Sequence, residues 1–295
     1  MAIDISLINL RDLSKPAVVL IERVSDAVGG IFKPYQIKRV ARAEAKADKI
    51  RALANIEISD IESRALERLL REEGKKQENI ESITAQAAKL LGDDAKPEEL
   101  EDDWIANFFE KCRIVSDTEM QVLWSKLLAG EATKTGTYSK RTVNFVSSLD
   151  KSDCTVFTNL CTFVCNVQLL VPLILDVDDD IYKNHGIYFS VLNHLDDIGL
   201  ITFQNISGFR LKALPKHVVV TYYGTPIGIE LPRDEKNQLE LGKVLFTNVG
   251  TELAPICGSA RSNEFVSYLV KKWTELNLSP FSPLSIRVSG RLPDK

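Results

Sequence analysis

The stretch from Lys33 to Leu91 constrains the fold more than any other part of this chain. Val40, Ala47, Ile50, Ala54, Ile58, Ile61, Ala65 and Leu69 recur three, four or seven residues apart, which predicts an amphipathic helix of about ten turns after Pro34. Its first half is basic, with Lys33, Lys38, Arg39, Arg42, Lys46, Lys49 and Arg51 against Glu44 and Asp48. The second half mixes signs, and pairs such as Glu67 with Arg71 support the helix by a few tenths of a kcal/mol. Gly74 predicts a break, followed by a further helix from Gln77 to Leu91 that presents Ile80, Ile83, Ala87 and Leu91. A stripe this narrow cannot close a core alone. It needs a second helical arm, within the chain as a hairpin or between chains as a coiled coil. The eight stripe residues are therefore the expected oligomerisation surface. Lys38, Arg39, Arg42, Lys46 and Lys49 are the candidate nucleic-acid contacts, with a solvated face as the plainer reading.

Upstream, Ser14 is the expected N-cap and Pro16 suits the first turn of a helix. Ala17, Val18, Leu20, Ile21, Val24, Ala27, Val28 and Ile31 give it a wide apolar face, and Gly29-Gly30 end or bend it. Such a face docks on protein. Peripheral membrane contact through residues 17–32 is the alternative, weakened by a polar face that is not basic. The N-terminus lacks the basic region and apolar run of a signal peptide. Ala17–Ile21 and Leu169–Leu175 fall short of the ~20 residues a spanning helix needs. The expected location is cytoplasmic, with membrane association as the alternative. A net charge of −4 argues against a generally basic nucleic-acid binder.

An acidic stretch around Pro97, with Asp93, Asp94, Glu98, Glu99, Glu101, Asp102 and Asp103, predicts a linker. Trp104 to about Leu170 then reads as helical. Trp104, Ile105, Phe108 and Phe109 share a face, Ser116-Asp117-Thr118-Glu119 reads as a capping box, and Met120, Leu123, Trp124, Leu127 and Leu128 follow at helical spacing. Gly130 is the expected stop, Ser139 the next cap, and Asp150 or Ser152 the start of a helix carrying Val156, Phe157, Leu160, Val164 and Val167. From Val171 the chain changes character. Tyr188–Ile198, Thr247–Ile256 and Ser262–Leu276 read as helices, and Leu200–Phe203, His217–Tyr223, Pro226–Leu231 and Leu239–Phe246 as strands. A helix, a Gly199-Leu200-Ile201 turn and paired strands suggest a winged-helix-like arrangement, a fold that binds DNA in some proteins and only protein in others. Its would-be recognition helix carries Asp196 and Asp197 and no Arg or Lys, which repels phosphate.

Catalytic patterns are missing. There is no P-loop, G-x-G-x-x-G, G-x-S-x-G or H-E-x-x-H, and His185, His194 and His217 lie in unrelated contexts. The run Asp176-Val177-Asp178-Asp179-Asp180 invites a calcium loop, but Ile181 and Ile187 stand where Gly and Glu are needed. Asp234-Glu235-Lys236 echoes a nuclease element without an upstream partner carboxylate. The five cysteines are Cys112, Cys154, Cys161, Cys165 and Cys257, and Cys154, Cys161 and Cys165 are spaced for one helical face. Reduced core thiols are the expected state, and neither a metal nor any other cofactor is expected.

Two stretches carry a resemblance. One is Lys33-Pro34 through Ile50, with Ala43-Glu44-Ala45, then Lys75-Lys76-Gln77-Glu78-Asn79-Ile80-Glu81. The other runs through Trp104–Phe109, Ser116–Trp124 and Leu127-Leu128-Ala129-Gly130-Glu131. Together they resemble the bacterial family known as domain of unknown function 2806, over roughly the first 165 residues, with Leu245–Ile256 fitting more loosely. The family supplies no catalytic residues to transfer. The second stretch is more distantly similar to bacterial abortive-infection alpha proteins, which implies a role in defence against phage.

The expected architecture is α+β, mainly α. It has helical arms over 1–92, a helical domain over 104–170 and a winged-helix-like α+β domain over 171–295. The expected function is that of a non-enzymatic, homo-oligomeric assembly protein with a protein partner for its C-terminal domain. A membrane-surface effector and a nucleic-acid-binding regulator are the alternatives.

Overall fold

A computed structural model describes residues 13–28 and 60–281. The chain forms two compact units, Met1–Ser148 and Leu149–Lys295. The division falls at Ser148, not at residues 92–104 and 170, because the helices on both sides of the acidic stretch share one core.

In the first unit α1 (Lys15–Val28) and α2 (Asp60–Leu90) are followed by a 3-10 turn (Pro97–Glu99), α3 (Asp102–Cys112), α4 (Thr118–Thr133) and α5 (Lys140–Val146). Ser14 opens α1 as expected, its hydroxyl accepting from the Ala17 N–H at 3.4 Å. Ala17, Leu20 and Val24 are fully buried against α2, the 3-10 turn and α3. The acidic stretch is not a linker. Pro97 and Leu100 are buried, and the Lys96 N–H donates to the Ala132 carbonyl at 2.9 Å. Arg23 from α1 reaches Asp102 at 2.8 Å, closing the stretch from the other side.

The aromatic face read from Trp104 to Phe109 is the centre of this unit. Phe108 stacks on Trp104 at 5.0 Å and meets Trp124 edge-on at 5.2 Å. The cap stands one residue later than expected and is not a reciprocal box: Asp117, not Ser116, caps α4, accepting from the Glu119 and Met120 N–H groups at 3.0 Å. Gly130 does not stop α4, which runs to Thr133. A Cβ there would lie 2.5 Å from Tyr138 Cε2, so the glycine lets a ring lie on the helix. Gly130→Ala is expected to cost about 1–3 kcal/mol through overpacking, read as a lower urea midpoint with an unchanged m-value. An unshifted midpoint would show that Tyr138 moves aside freely.

The second unit begins with α6 (Lys151–Cys161), opened by a capping box in which the Asp153 carboxylate accepts from the Asp150 N–H at 3.0 Å. The expected helix to Leu170 ends at Cys161. The chain turns into β1 (Val164–Asn166) and β2 (Leu170–Pro172), so Cys165 lies on a strand and not on the helical face of Cys154 and Cys161. Next come α7 (Asp180–Lys183), α8 (Phe189–Asp197) and β3 (Ile201–Phe203), then β4 (Phe209–Leu214), β5 (His217–Tyr222), β6 (Thr225–Glu230), β7 (Asn237–Gly242) and β8 (Val244–Phe246). The chain closes with α9 (Asn248–Leu253), α10 (Asn263–Glu275) and β9 (Ser279–Phe281). An antiparallel sheet has the order β2-β1-β5-β6-β9, and β3–β8 and β4–β7 form two-stranded sheets. Gly199 ends α8 at φ 86°: its N–H and that of Leu200 bond back to Asp196 and Leu195 at 2.9 Å, a turn in which a left-handed residue satisfies the last carbonyls.

The core of this unit is aromatic. Phe265 of α10 meets Phe163 at 5.0 Å and Tyr222 at 5.3 Å, both edge-on, and stacks on Tyr268 at 5.9 Å. The acidic run before α7 is tied into this core. The Asp179 carboxylate accepts from the Tyr268 hydroxyl at 2.6 Å and pairs with Lys272 at 2.9 Å.

Candidate functional site

The expected break at Gly74 does not occur. α2 is one helix of 31 residues, and a Cβ at Gly74 would meet nothing within 4 Å. Its two halves live in different environments. From Asn79 onward it is embedded, with Ile83, Thr84 and Ala87 fully buried. A polar lock fixes this half to α4: Gln121 donates to Asn79 Oδ1 at 3.2 Å and to the Val115 carbonyl at 2.9 Å. Asn79 donates to the Arg113 carbonyl at 2.8 Å, and the Ser82 hydroxyl donates to Gln121 Oε1 at 2.8 Å.

From Asp60 to Lys75 the same helix is bare except for a half-buried Ser63. Ile61 is 71% exposed, Leu69 53%, Leu70 48% and Leu66 36%. These are large apolar side chains, and they lie on the side that is buried further along. Leu69 stands 18 residues before Ala87 and 11 before Ile80, which is five and about three turns at 3.6 residues per turn. The apolar face of the embedded half therefore continues uncovered into the first half.

Charge surrounds the bare face. Lys76 pairs with Glu73 at 2.6 Å, Arg68 with Glu72 at 3.6 Å and Lys75 with Glu78 at 3.7 Å. The hydrogen bond from Lys76 holds the Glu73 carboxyl below its usual range. Exposed pairs of this kind contribute little stability, which leaves them free to exchange partners.

Of the expected oligomerisation residues, Ile61, Ala65 and Leu69 lie on this exposed face. Val40, Ala47, Ile50, Ala54 and Ile58 lie outside the described residues, as do Lys38, Arg39, Arg42, Lys46 and Lys49. Leu66 and Leu70 were not in the expected stripe, yet they widen it by a second row four residues apart. Of the apolar face read over residues 17–32, Ala17, Leu20, Ile21 and Val24 are buried in protein, Val18 and Val28 are half-buried and Ala27 is exposed. No described helix is long and apolar enough to cross a membrane.

Elsewhere, His194 Nε2 lies 2.7 Å from Asp153 Oδ1, a pair that ties α8 to the start of α6. Among the described residues no group of three or more His, Cys, Asp or Glu side chains is arranged to hold a metal ion.

A family model described as "Protein of unknown function (DUF2806)" matches residues 63–270. It takes in both units and begins inside the bare half of α2, while the Lys33–Ile50 part of the resemblance falls outside it. No curated protein and no solved structure matches the chain.

Proposed function

We propose, from the premise that this chain belongs to the family Protein of unknown function (DUF2806), that it is an assembly protein whose α2 pairs with α2 of a second copy. The observation that carries the reading is the uncovered face of Ile61, Leu66, Leu69 and Leu70, continuous with a face that is core about three turns later. A helix that buries one end of its stripe and exposes the other offers a ready surface for a like helix.

The charge order of the bare half favours antiparallel self-pairing. Asp60 and Glu62 lie at its start and Lys75 and Lys76 at its end. A twofold axis near Arg68 sets these acids against those bases and brings Leu66 of one copy to Leu70 of the other, as an isologous interface requires.

Self-association is expected at tens of micromolar in light scattering coupled to size exclusion. Leu69→Lys with Leu70→Lys is expected to weaken it at least about tenfold, equivalent to ~1.4 kcal/mol. A wild-type chain that is strictly monomeric at that concentration sinks the reading.

In the second unit, we propose that α7 and α8 with the β3–β8 pair serve as a winged-helix-like element that docks protein. The acidic end of α8 supports this against DNA binding. A place in defence against phage rests on the distant similarity of Trp104–Glu131 to abortive-infection alpha proteins.

A further inference from the structure

Strand alternation sorts the larger sheet of the second unit into two faces. Cys165 of β1 and Val220 and Tyr222 of β5 point into the core and are fully buried. Val164 and Asn166 of β1 and Thr221 of β5 therefore stand on the opposite face. Asn166 pairs with Leu170 of β2 on one side and with Thr221 on the other, which sets these three next to one another. The 254–259 segment after α9 supplies a facing wall through Ala254, Pro255 and Ser259. Between wall and strands lies a cavity of about 370 Å³.

The wall is fixed within the chain itself. The Tyr223 hydroxyl donates to Ser259 Oγ at 2.6 Å and lies 3.3 Å from the Cys161 carbonyl. The Ser262 N–H donates to the Tyr222 hydroxyl at 2.8 Å, and Arg261 donates to Thr225 Oγ1 at 3.1 Å. The Thr158 hydroxyl donates to the Cys257 carbonyl at 3.2 Å. These bonds pin residues 257–262 to α6 and to the β5–β6 hairpin, so the cavity is formed in advance, as small-molecule sites usually are. Tyr223, which also lines it, holds its place under backbone strain. It forms with Gly224 the two-residue turn between β5 and β6, where Tyr222 pairs with Thr225. The φ values are 45° and 77°, a turn type that takes Asn or Gly at its first position. A bulky residue at positive φ is a genuine outlier, and such strain gathers where function demands a side chain.

The lining selects the ligand. Among the described residues none that lines the cavity is charged. A charged ligand gives up hydration there and meets no counter-ion in return. Val164, Leu170, Ala254 and Pro255 offer apolar surface to a flat ring. Two polar groups face the same space, the Asn166 carboxamide and the Thr221 hydroxyl. Among the described residues neither side chain has a hydrogen-bond partner, whereas the Tyr223 and Ser259 hydroxyls already hold each other. A carboxamide presents a donor and an acceptor side by side. It pairs through two hydrogen bonds with any molecular edge that carries the complementary set, as Asn does with adenine.

We propose that this cavity binds an uncharged ring-shaped small molecule with an amide edge, a carbonyl beside a ring N–H. The ring rests against the apolar walls and Tyr223. The ligand N–H donates to Asn166 Oδ1, and the ligand carbonyl accepts from Asn166 Nδ2 and from the Thr221 hydroxyl. A volume at the low end of the small-molecule range suits one or two fused rings. The site lies wholly in the second unit and is independent of the pairing of α2.

The test titrates the full chain with three probes at pH 7 and follows each by saturation-transfer NMR. 2-Quinolinone, a neutral two-ring lactam, is expected to bind at millimolar concentration or below. Quinoline lacks the amide edge and quinoline-2-carboxylate carries a charge, so each is expected to bind at least about tenfold more weakly. Asn166→Ala is expected to weaken 2-quinolinone about tenfold and leave quinoline unchanged, a split that general loosening of the fold does not produce. Tyr223→Asn gives the turn a residue that it favours, and it is expected to weaken both neutral probes by removing a wall. No transfer to 2-quinolinone at millimolar concentration overturns the proposal, as does a carboxylate probe that binds as tightly. The wild-type comparison decides it even if a variant fails to fold.

Discussion

Phe265→Ala is expected to destabilise the folded chain by about 3–5 kcal/mol, the usual cost of emptying a buried phenylalanine site. Phe265 is fully buried and forms the contact between Phe163, Tyr222 and Tyr268, with Tyr182 edge-on at 6.4 Å. Neighbours this interlocked cannot collapse into the gap, because the Tyr182 and Tyr222 hydroxyls are held by the Leu173 and Thr162 carbonyls at 2.7 and 2.8 Å. Aromatic pairs add about 0.5–1.5 kcal/mol each beyond the buried area. Denaturant unfolding with linear extrapolation measures the loss, and Phe265→Leu, which keeps most of the volume, is expected to lose less than half as much. A loss below about 1 kcal/mol for the alanine variant would mean that the cluster repacks.

The second large effect lies at Glu131. The residue is only 3% exposed, and its carboxylate accepts from the Gly136 N–H at 2.7 Å on one oxygen and the Tyr138 N–H at 2.7 Å on the other. These bonds shape the turn between α4 and α5, and Trp104 Nε1 fastens the same turn by donating to the Tyr138 carbonyl at 2.8 Å. Glu131→Leu leaves the buried Tyr138 N–H unmet at about 1–3 kcal/mol, while the Gly136 N–H, on an exposed residue, can turn to water, so a loss near 2 kcal/mol is expected. Glu131→Gln replaces one acceptor by a donor facing a donor and is expected to cost about half of that.

The pH dependence has a definite sign. Burial raises the Glu131 carboxyl above 4.5, against the pull of the Tyr138 and Gly136 N–H groups. A carboxyl raised on folding binds its proton more tightly in the folded chain. Its stabilisation is complete below pH 4.5 and is lost as pH rises through the folded value. The stability gap between wild type and Glu131→Gln is therefore expected to narrow as pH rises from 4.5. A gap that widens would mean that the two backbone donors outweigh desolvation.

Periodicity made the helices around Trp104, Trp124, Val143 and Phe265 legible, because each buries one face and its apolar spacing reports that directly. The hairpin of β5 and β6 was legible for the same reason. What escaped was set by contacts distant in sequence. Gly74 looked like a stop, yet a single exposed glycine costs a helix only ~1 kcal/mol. Gly130 looked like another, and its role depends on a ring eight residues on. Strand β4 was missed because a bulge interrupts its pairing between Leu211 and Leu214, with Ala213 at φ 59°. Ser116 and Asp117 are both good caps, and only the fold chooses between them. In the α2 stripe, Ile61, Ala65 and Leu69 were readable, while Leu66 and Leu70 were hidden by the charges around them. The meeting of Tyr223 with Ser259 had no local signal at all. The positive φ at Tyr223 is a backbone property that no residue spacing announces.

The half-clamped state of α2 makes it a lever. Leu69 lies ten residues from Asn79, about 15 Å along the axis at 1.5 Å per residue. Any sideways load at Leu69 becomes a torque about the amide and hydroxyl bonds of Asn79, Ser82 and Gln121. Those bonds are directional, and they end on the Arg113 and Val115 carbonyls, in the bend between α3 and α4. Greasy contacts alone would let the rod slip and absorb the motion. This fulcrum instead hands it on to the bend, so occupancy of the distal end can be felt at a place the occupant never touches.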